Sequence, residues 1–211
     1  MKNVALGLAL LIACAAAPSA AAAQTILDEW QSVSVPSPPP VRAVTVDPKT
    51  TAVLVLDLVK QTCTSRPRCV ASIPVVKKLL TTARAAGAPI VYSITATSTT
   101  ADVLPDLAMA SGDPWVQAGA DKFLNTQLQS ILRSKGVQSV IVVGTAANGA
   151  VLDTGTTAAL LGLNVIVPVD GMSAEFPYAE QYTTWQFANG PGGVSVKSTI
   201  TRIDQITFAR K

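Results

Sequence analysis

The sequence contains no histidine and only three cysteines in 211 residues. Without histidine, the Ser-His-Asp triad and every cysteine–histidine mechanism are excluded. A metal site would also lack one of its commonest ligands. Catalysis by this chain would therefore depend on carboxylate, lysine, hydroxyl or backbone groups.

Aromatic and charged residues are also scarce, at 5% and 14% of the chain, while 49% of the residues are hydrophobic. The aliphatic residues form short continuous runs, which are typical of strands buried on both faces of a parallel sheet. The net charge of +3 is too small to indicate a nucleic-acid partner. The composition thus favours an α/β fold with a buried parallel sheet and indicates no particular polyanionic partner.

Residues 1–23 are typical of a bacterial secretory signal, with Lys2 near the start, an apolar run and a series of alanines at the end. We expect cleavage before Gln24 and a periplasmic or secreted protein with a net charge of +2, since only Lys2 is lost. A transmembrane span is the alternative, but the apolar run is short for a bilayer. The segment Leu11-Ile12-Ala13-Cys14 also resembles a lipobox, which would leave Cys14 as a lipidated N-terminus.

Two cysteines follow the signal, Cys63 and Cys69, in the segment CTSRPRC. In an oxidising compartment this spacing favours a disulfide between them. A metal site at these thiols would lack further ligands, and a catalytic role for Cys63 is the remaining alternative. We expect neither a metal nor another cofactor.

Strand and helix patterns alternate along most of the chain. Residues 24–49 are rich in proline and predict an extended arm, and residues 50–211 predict one domain. The predicted strands are residues 52–56, 89–95, 137–143, 164–169 and 194–197, and the predicted helices are 73–86, 123–134, 149–161 and part of 173–189. This order predicts a three-layer α/β/α, Rossmann-like fold with a mostly parallel sheet. Residues 96–114 predict a long loop, which could cover a site.

Ligands bind parallel sheets beyond the carboxyl ends of the strands. Asp57, Thr95, Asp170 and the turn at residues 144–150 all lie at that predicted edge. The turn GTAANGA contains no serine, cysteine, histidine or lysine. A reactive group at this edge must therefore come from elsewhere, and Asp57 is the first candidate.

Three segments resemble the isochorismatase-like hydrolases, also called cysteine hydrolases. They are VLVLDLVKQ at 53–61, LLTTARAAGAPIVYS at 79–93 and the long segment 121–174, which includes GTAANGAVLDTGTTAALLG. The resemblance extends over residues 50–175 in order, and it is the joint pattern that is specific. It implies a hydrolase of a small-molecule substrate that forms homo-oligomers.

Members of this family generally use an Asp, a Lys and a Cys. The resemblance places Asp57 at the Asp and Ala150 at the Cys, with Asn148 and Gly149 in the same substrate-binding turn. The usual Lys position corresponds to Gln117, whereas Lys122 immediately precedes Phe123. Lys122 is therefore either a displaced catalytic lysine or a solvated residue at a helix start, and Asp57 is either catalytic or a structural acceptor.

Two functions follow from this pattern. Some isochorismatases have a small residue at the Cys position and cleave a vinyl ether with the Asp as general acid, so the chain could be a hydrolase without a thiol. Alternatively, it is a non-catalytic secreted protein that binds a small molecule or a partner on the same fold.

Overall fold

The computed structural model describes residues 23–209. The predicted signal therefore lies, apart from Ala23, outside the described residues, and so does Cys14. The chain divides into two compact units at Ser37 and Pro38. In the first unit the described residues contain one short helix, α1, at Ile26–Glu29, whose start is capped by Thr25 and Asp28.

The second unit contains nine strands and six α-helices in its described part. The strands are β1 Val44–Val46, β2 Thr51–Leu56, β3 Ile90–Ile94, β4 Trp115–Gln117, β5 Ser139–Thr145, β6 Asn164–Pro168, β7 Met172–Ser173, β8 Ser198–Thr201 and β9 Ile206–Phe208. The helices are α2 Lys60–Cys63, α3 Pro67–Ala86, α4 Leu128–Ser134, α5 Leu152–Leu160, α6 Pro177–Asn189 and α7 Val194–Lys197.

A parallel sheet of seven strands forms the middle layer, in the order β4-β3-β2-β5-β6-β8, with β7 paired to the end of β5. Side chains of β2 alternate between two hydrophobic cores. Val53 and Val55 pack on the α3 side, and Leu54 and Leu56 pack with α4, α5 and α6. Because both faces are covered, all six residues of β2 are buried. This arrangement confirms the predicted three-layer α/β/α fold.

Several elements differ from their sequence patterns. Helix α3 begins at Pro67 instead of residue 73 and continues through Pro74, because Pro67 is suited to the first helical turn. Residues 194–197 form the short helix α7 and not a strand, and β8 follows it directly. Strand β1 pairs in parallel with β9 near the chain end. The three residues of β1 are too few to show a period, so the sequence did not predict this strand.

The long connection after β3 is fastened to the body of the domain. It contains two short 3₁₀ turns at Thr100–Asp102 and Pro105–Leu107. Val103 forms a bridge to Val59, and the backbone N–H of Leu104 donates to the carbonyl of Leu58. The loop expected to cover a site is thus joined to the segment that directly follows Asp57.

A disulfide joins Cys63, the last residue of α2, to Cys69 in the first turn of α3. Both cysteines are buried, so the pairing removes them as candidates for a free catalytic thiol. The loop between them is also tied to α6, because the Arg68 guanidinium pairs with Glu180 through both carboxylate oxygens. Glu180 in turn accepts the backbone N–H of Ala174 at 2.9 Å.

The disulfide predicts a measurable stabilisation. Replacing both cysteines by serine should lower the free energy of unfolding by about 2 kcal/mol, because the short loop then gains conformational entropy when the chain unfolds. Denaturant titration measures this loss. In parallel, a tryptic digest prepared without reductant should give the peptide 61–68 covalently joined to 69–77, and recovery of both as separate free thiols would contradict the pairing.

Candidate active site

The centre of the candidate site is a buried ion pair at the carboxyl edge of the sheet. Lys122 Nζ lies 2.6 Å from Asp57 Oδ2. Lys122 is 0% exposed and Asp57 is 6% exposed. The structure therefore brings together the two residues for which the sequence proposed a catalytic role, although they are 65 positions apart.

Asp57 takes its position from the end of β2. Its backbone is in the left-handed region, with φ of 53°, which residues other than glycine rarely adopt. This conformation costs of order 1 kcal/mol and occurs most often at functional sites, where the surrounding contacts hold it. Here the backbone N–H of Asp57 donates to the carbonyl and the hydroxyl of Ser93, and Thr62 Oγ1 donates to the Asp57 carbonyl at 2.5 Å.

Lys122 comes from the segment between β4 and α4. The sequence predicted a helix from residue 123, but α4 begins only at Leu128, and the preceding residues form an irregular loop. Thr154 on α5 holds this loop, since its hydroxyl accepts the backbone N–H of Lys122 at 3.1 Å and donates to the Ala120 carbonyl at 3.3 Å. Asp121 Oδ2 also accepts the Thr157 hydroxyl at 2.7 Å. These contacts turn Lys122 inward and not toward solvent.

The ammonium of Lys122 has three acceptors for its three N–H bonds. Besides Asp57, they are the Gly119 carbonyl at 2.5 Å and the Ala118 carbonyl at 3.3 Å. A buried charge is tolerated only when it is paired and hydrogen-bonded, and both conditions are met here.

The carboxyl group of Asp57 is held through both oxygens. Oδ2 accepts from Lys122, and Oδ1 accepts the hydroxyl of Ser93 at 2.8 Å. Burial raises the pKa of Asp57 above its ordinary value, while the Lys122 charge and the hydrogen bonds from Lys122 and Ser93 act in the opposite direction. The net direction is upward, so the protonated acid persists to a higher pH than in a solvated aspartate.

Gln117, at the position where the family usually has its lysine, contacts the loop after β3 and not the ion pair. Its side-chain amide donates to the carbonyls of Thr95, Ala96 and Ser98. These contacts fix the loop that follows β3, and Gln117 makes no contact with Asp57 among the hydrogen bonds of the described residues.

The small-residue turn follows β5 at the same edge of the sheet. Gly144 is the register partner of Leu56, the residue before Asp57. With φ of 148°, Gly144 allows the two strands to approach closely, since a Cβ there would overlap the Leu56 carbonyl and lie 2.7 Å from Leu56 Cβ. The strands therefore deliver Asp57 and the turn to neighbouring positions.

The turn itself is a π-helical turn at Ala147–Val151 that leads directly into α5. Ala150 is buried, Gly149 is partly buried and Asn148 is exposed. The methyl group of Ala150 provides no nucleophile. What the turn offers is backbone at the start of a helix, where N–H groups favour negatively charged ligand atoms.

The sequence did not predict the roles of two residues of the site. Ser93 contacts the carboxyl group of Asp57, and Thr154 supports the backbone of Lys122. A serine inside the buried run Ile90–Ile94 was the available signal for Ser93, because a polar side chain there needs a partner. The contact of Thr154 with Lys122 depends on the loop conformation, for which the sequence carries no periodic signal.

A carboxylate and a lysine thus lie at the carboxyl edge of a parallel α/β sheet, which is where such sheets bind their ligands. A model of the isochorismatase domain matches residues 51–199. The chain therefore belongs to the isochorismatase-like hydrolase family.

Solved structures of low sequence identity share the fold. An isochorismatase-like hydrolase from Alkaliphilus metalliredigens is 21% identical with a TM-score of 0.66, and the match covers 74% of this chain and 96% of that one. N-carbamoylsarcosine amidase from Thermoplasma acidophilum is 22% identical with a TM-score of 0.63, and the match covers 74% of this chain and 97% of that one. The nicotinamidase from Staphylococcus aureus is 18% identical with a TM-score of 0.62, and the match covers 73% of this chain and 99% of that one. No curated protein sequence gives a significant match to the chain.

Within residues 23–209, no helix combines the length and the apolar character that a membrane crossing requires.

Because the ion pair is buried, removing one partner should destabilise the protein more than replacing both partners. Lys122→Met should lower the free energy of unfolding by about 3–5 kcal/mol, because Asp57 is left buried without its partner. The double variant Asp57→Asn with Lys122→Met should recover most of that loss, since no unpaired charge remains. Urea titration of the two variants measures the difference.

Lys77→Met is the matched control, because the Lys77–Asp106 pair is solvent-exposed. It should cost less than about 1 kcal/mol. Equal losses for Lys122→Met and Lys77→Met would contradict the buried pair.

Proposed function

We propose that this protein hydrolyses a small vinyl ether or a related small molecule, with Asp57 as acid and base and without a cysteine nucleophile. The observation that carries the proposal is the buried Asp57–Lys122 pair, 2.6 Å apart at the carboxyl edge of the sheet. Family membership supports hydrolysis as the reaction class. The alanine at position 150 favours a reaction that needs a proton donor and water over one that needs a thiol.

The chemistry fits a carboxyl group with a raised pKa. Protonated Asp57 would transfer its proton to the terminal carbon of the vinyl group, and the ether oxygen would stabilise the cation that forms. Water then adds to that cation and returns a proton to the Asp57 carboxylate, and the resulting hemiketal separates into an alcohol and a carbonyl compound. Atoms and charge balance, and the overall change consumes one water.

Lys122 would act in this scheme through Asp57. Its ammonium already has three acceptors, so donation to a substrate would break an existing hydrogen bond. The fixed positive charge stabilises the carboxylate that remains after proton transfer, which lowers the cost of the step. Lys122 is thus an electrostatic support of the acid.

The turn at Asn148, Gly149 and Ala150 would hold the substrate. Its backbone lies at the start of a helix, which suits a carboxylate or another anionic group. We therefore expect a small anionic substrate, and the disulfide is consistent with action in an oxidising compartment such as the periplasm.

Turnover is tested with panels of small vinyl ethers, esters and amides. Asp57→Asn should reduce kcat/KM on the accepted substrate by at least about 10²-fold, because general acid catalysis contributes this much or more. In the parent protein, kcat/KM should fall as the pH rises through the raised pKa of Asp57, since the protonated form is the active one. Unchanged turnover in a folded Asp57→Asn protein would contradict the role of Asp57.

A non-catalytic binding protein is the second candidate, and the methyl group of Ala150 in place of a nucleophile favours it. The Ala150→Cys variant addresses this alternative. If the turn keeps the geometry of the amidase members, the new thiol should confer hydrolysis of small amides that depends on Asp57.

Ala147→Cys is the matched control, because Ala147 is buried in the same turn, and it should remain inactive on the same amides. A folded Ala150→Cys protein without amidase activity would show that the turn does not present position 150 as a nucleophile. A parent protein that is inactive on the whole panel would favour the binding protein.

A further inference from the structure

Ser93 has an unusual set of contacts with Asp57. It lies near the end of β3, where it is the register partner of Leu56. Its Oγ donates to Asp57 Oδ1 at 2.8 Å and accepts the backbone N–H of Asp57 at 3.2 Å. Ser93 is 2% exposed, so its hydroxyl serves this carboxyl group and not the solvent.

The two carboxyl oxygens of Asp57 differ in how well their surroundings accommodate a proton. Oδ2 faces the ammonium of Lys122, which donates hydrogen bonds and cannot accept one. A proton on Oδ2 would therefore compete with that contact and weaken it. Oδ1 faces a hydroxyl, which can donate to a charged oxygen and accept from a protonated one. Protonation at Oδ1 keeps both contacts of the carboxyl group.

We propose that Ser93 is a positioning residue for Asp57, which keeps the exchangeable proton on Oδ1 and holds the carboxyl group in one orientation in both protonation states. The inference rests on the proposed function, because a single orientation in both protonation states matters for a carboxyl group that transfers protons. When the proton leaves Oδ1 for the substrate, the Ser93 hydroxyl rotates to donate to the charged oxygen. The proton of Ser93 stays on its own oxygen throughout.

The surroundings of Asp57 leave this role to Ser93. From the loop before α4 the carboxyl group faces Lys122, and from α2 the Thr62 hydroxyl contacts the main-chain carbonyl of Asp57 and not its side chain. Lys122 is the one charged side chain, among the described residues, whose field acts on the pKa of Asp57. Burial raises that pKa, and the Lys122 charge and the Ser93 hydrogen bond oppose the rise.

The experiment compares Ser93→Ala and Ser93→Thr with the parent protein. Carbon-13 NMR of labelled aspartate, assigned with Asp57→Asn, gives the titration midpoint of Asp57 directly. Ser93→Ala should move the midpoint to higher pH, because a donor to the charged form is lost. Ser93→Thr keeps the hydroxyl and should retain the parent midpoint.

On an accepted substrate, kcat of Ser93→Ala should fall by about tenfold or more with KM nearly unchanged, as expected for a hydrogen bond to a charged group. The alkaline limb of its pH profile should move upward with the NMR midpoint. Ser72→Ala is the control, since Ser72 is also buried but donates to the Cys69 carbonyl on α3. Ser72→Ala should leave kcat, the alkaline limb of the pH profile and the titration midpoint of Asp57 unchanged.

An unmoved midpoint in a folded Ser93→Ala protein overturns the role of Ser93, whatever the assays show. A moved midpoint with an unmoved alkaline limb also overturns it, because the oriented carboxyl group would then not be the acid of the reaction. Absence of turnover by the parent protein is a different result, which overturns the proposed function, while the midpoint still reports whether the hydroxyl holds the carboxylate.

Discussion

The buried ion pair between Asp57 and Lys122 is the interaction on which the rest of the site depends. Two charges removed from water lose several kcal/mol of hydration each, and the loss is recovered only with good geometry and further hydrogen bonds. The chain meets this requirement with the carbonyls of Gly119 and Ala118 for the lysine and the hydroxyl of Ser93 for the aspartate. The irregular segment before α4 supplies those carbonyls, and Thr154 holds this segment through the backbone N–H of Lys122.

The small-residue turn has a role that complements this pair. It lacks a reactive side chain, yet Gly144 brings it close to the strand that ends at Asp57. In the proposed function the chemistry lies at the carboxyl group of Asp57 and not in the turn, whose backbone at the start of α5 would bind the substrate. In the family to which this chain belongs, such a division is compatible with hydrolysis by proton transfer.

The sequence predicted the layers of the fold because they depend on continuous apolar runs, such as Ala52–Leu56 and Val137–Val143. It also predicted Asp57, because a carboxylate directly after a buried strand must lie at the carboxyl edge. The position of Lys122 could not be predicted in this way. It depends on a loop without periodicity. It also depends on a contact with Thr154, which is distant in the sequence, and on a contact with the backbone carbonyl of Gly119.

Short elements were equally hard to predict, because three or four residues do not show a period. Strand β1 and helix α7 are examples: β1 is fixed by its pairing with β9, and α7 packs against α5 and α6. The same limit applies to Ser93, whose partner lies 36 positions earlier in the chain. Pairing across a parallel sheet is a property of the fold, so the contact between Ser93 and Asp57 emerges only in three dimensions.

Hydrolysis of a small vinyl ether in D₂O, followed by mass spectrometry of the product, tests most directly whether Asp57 delivers a proton to the substrate. Proton transfer to carbon would place one deuterium on the methyl group of the carbonyl product, and Asp57→Asn should form almost none of this product. Enzymatic product without carbon-bound deuterium, or with the parent rate in Asp57→Asn, would contradict the account.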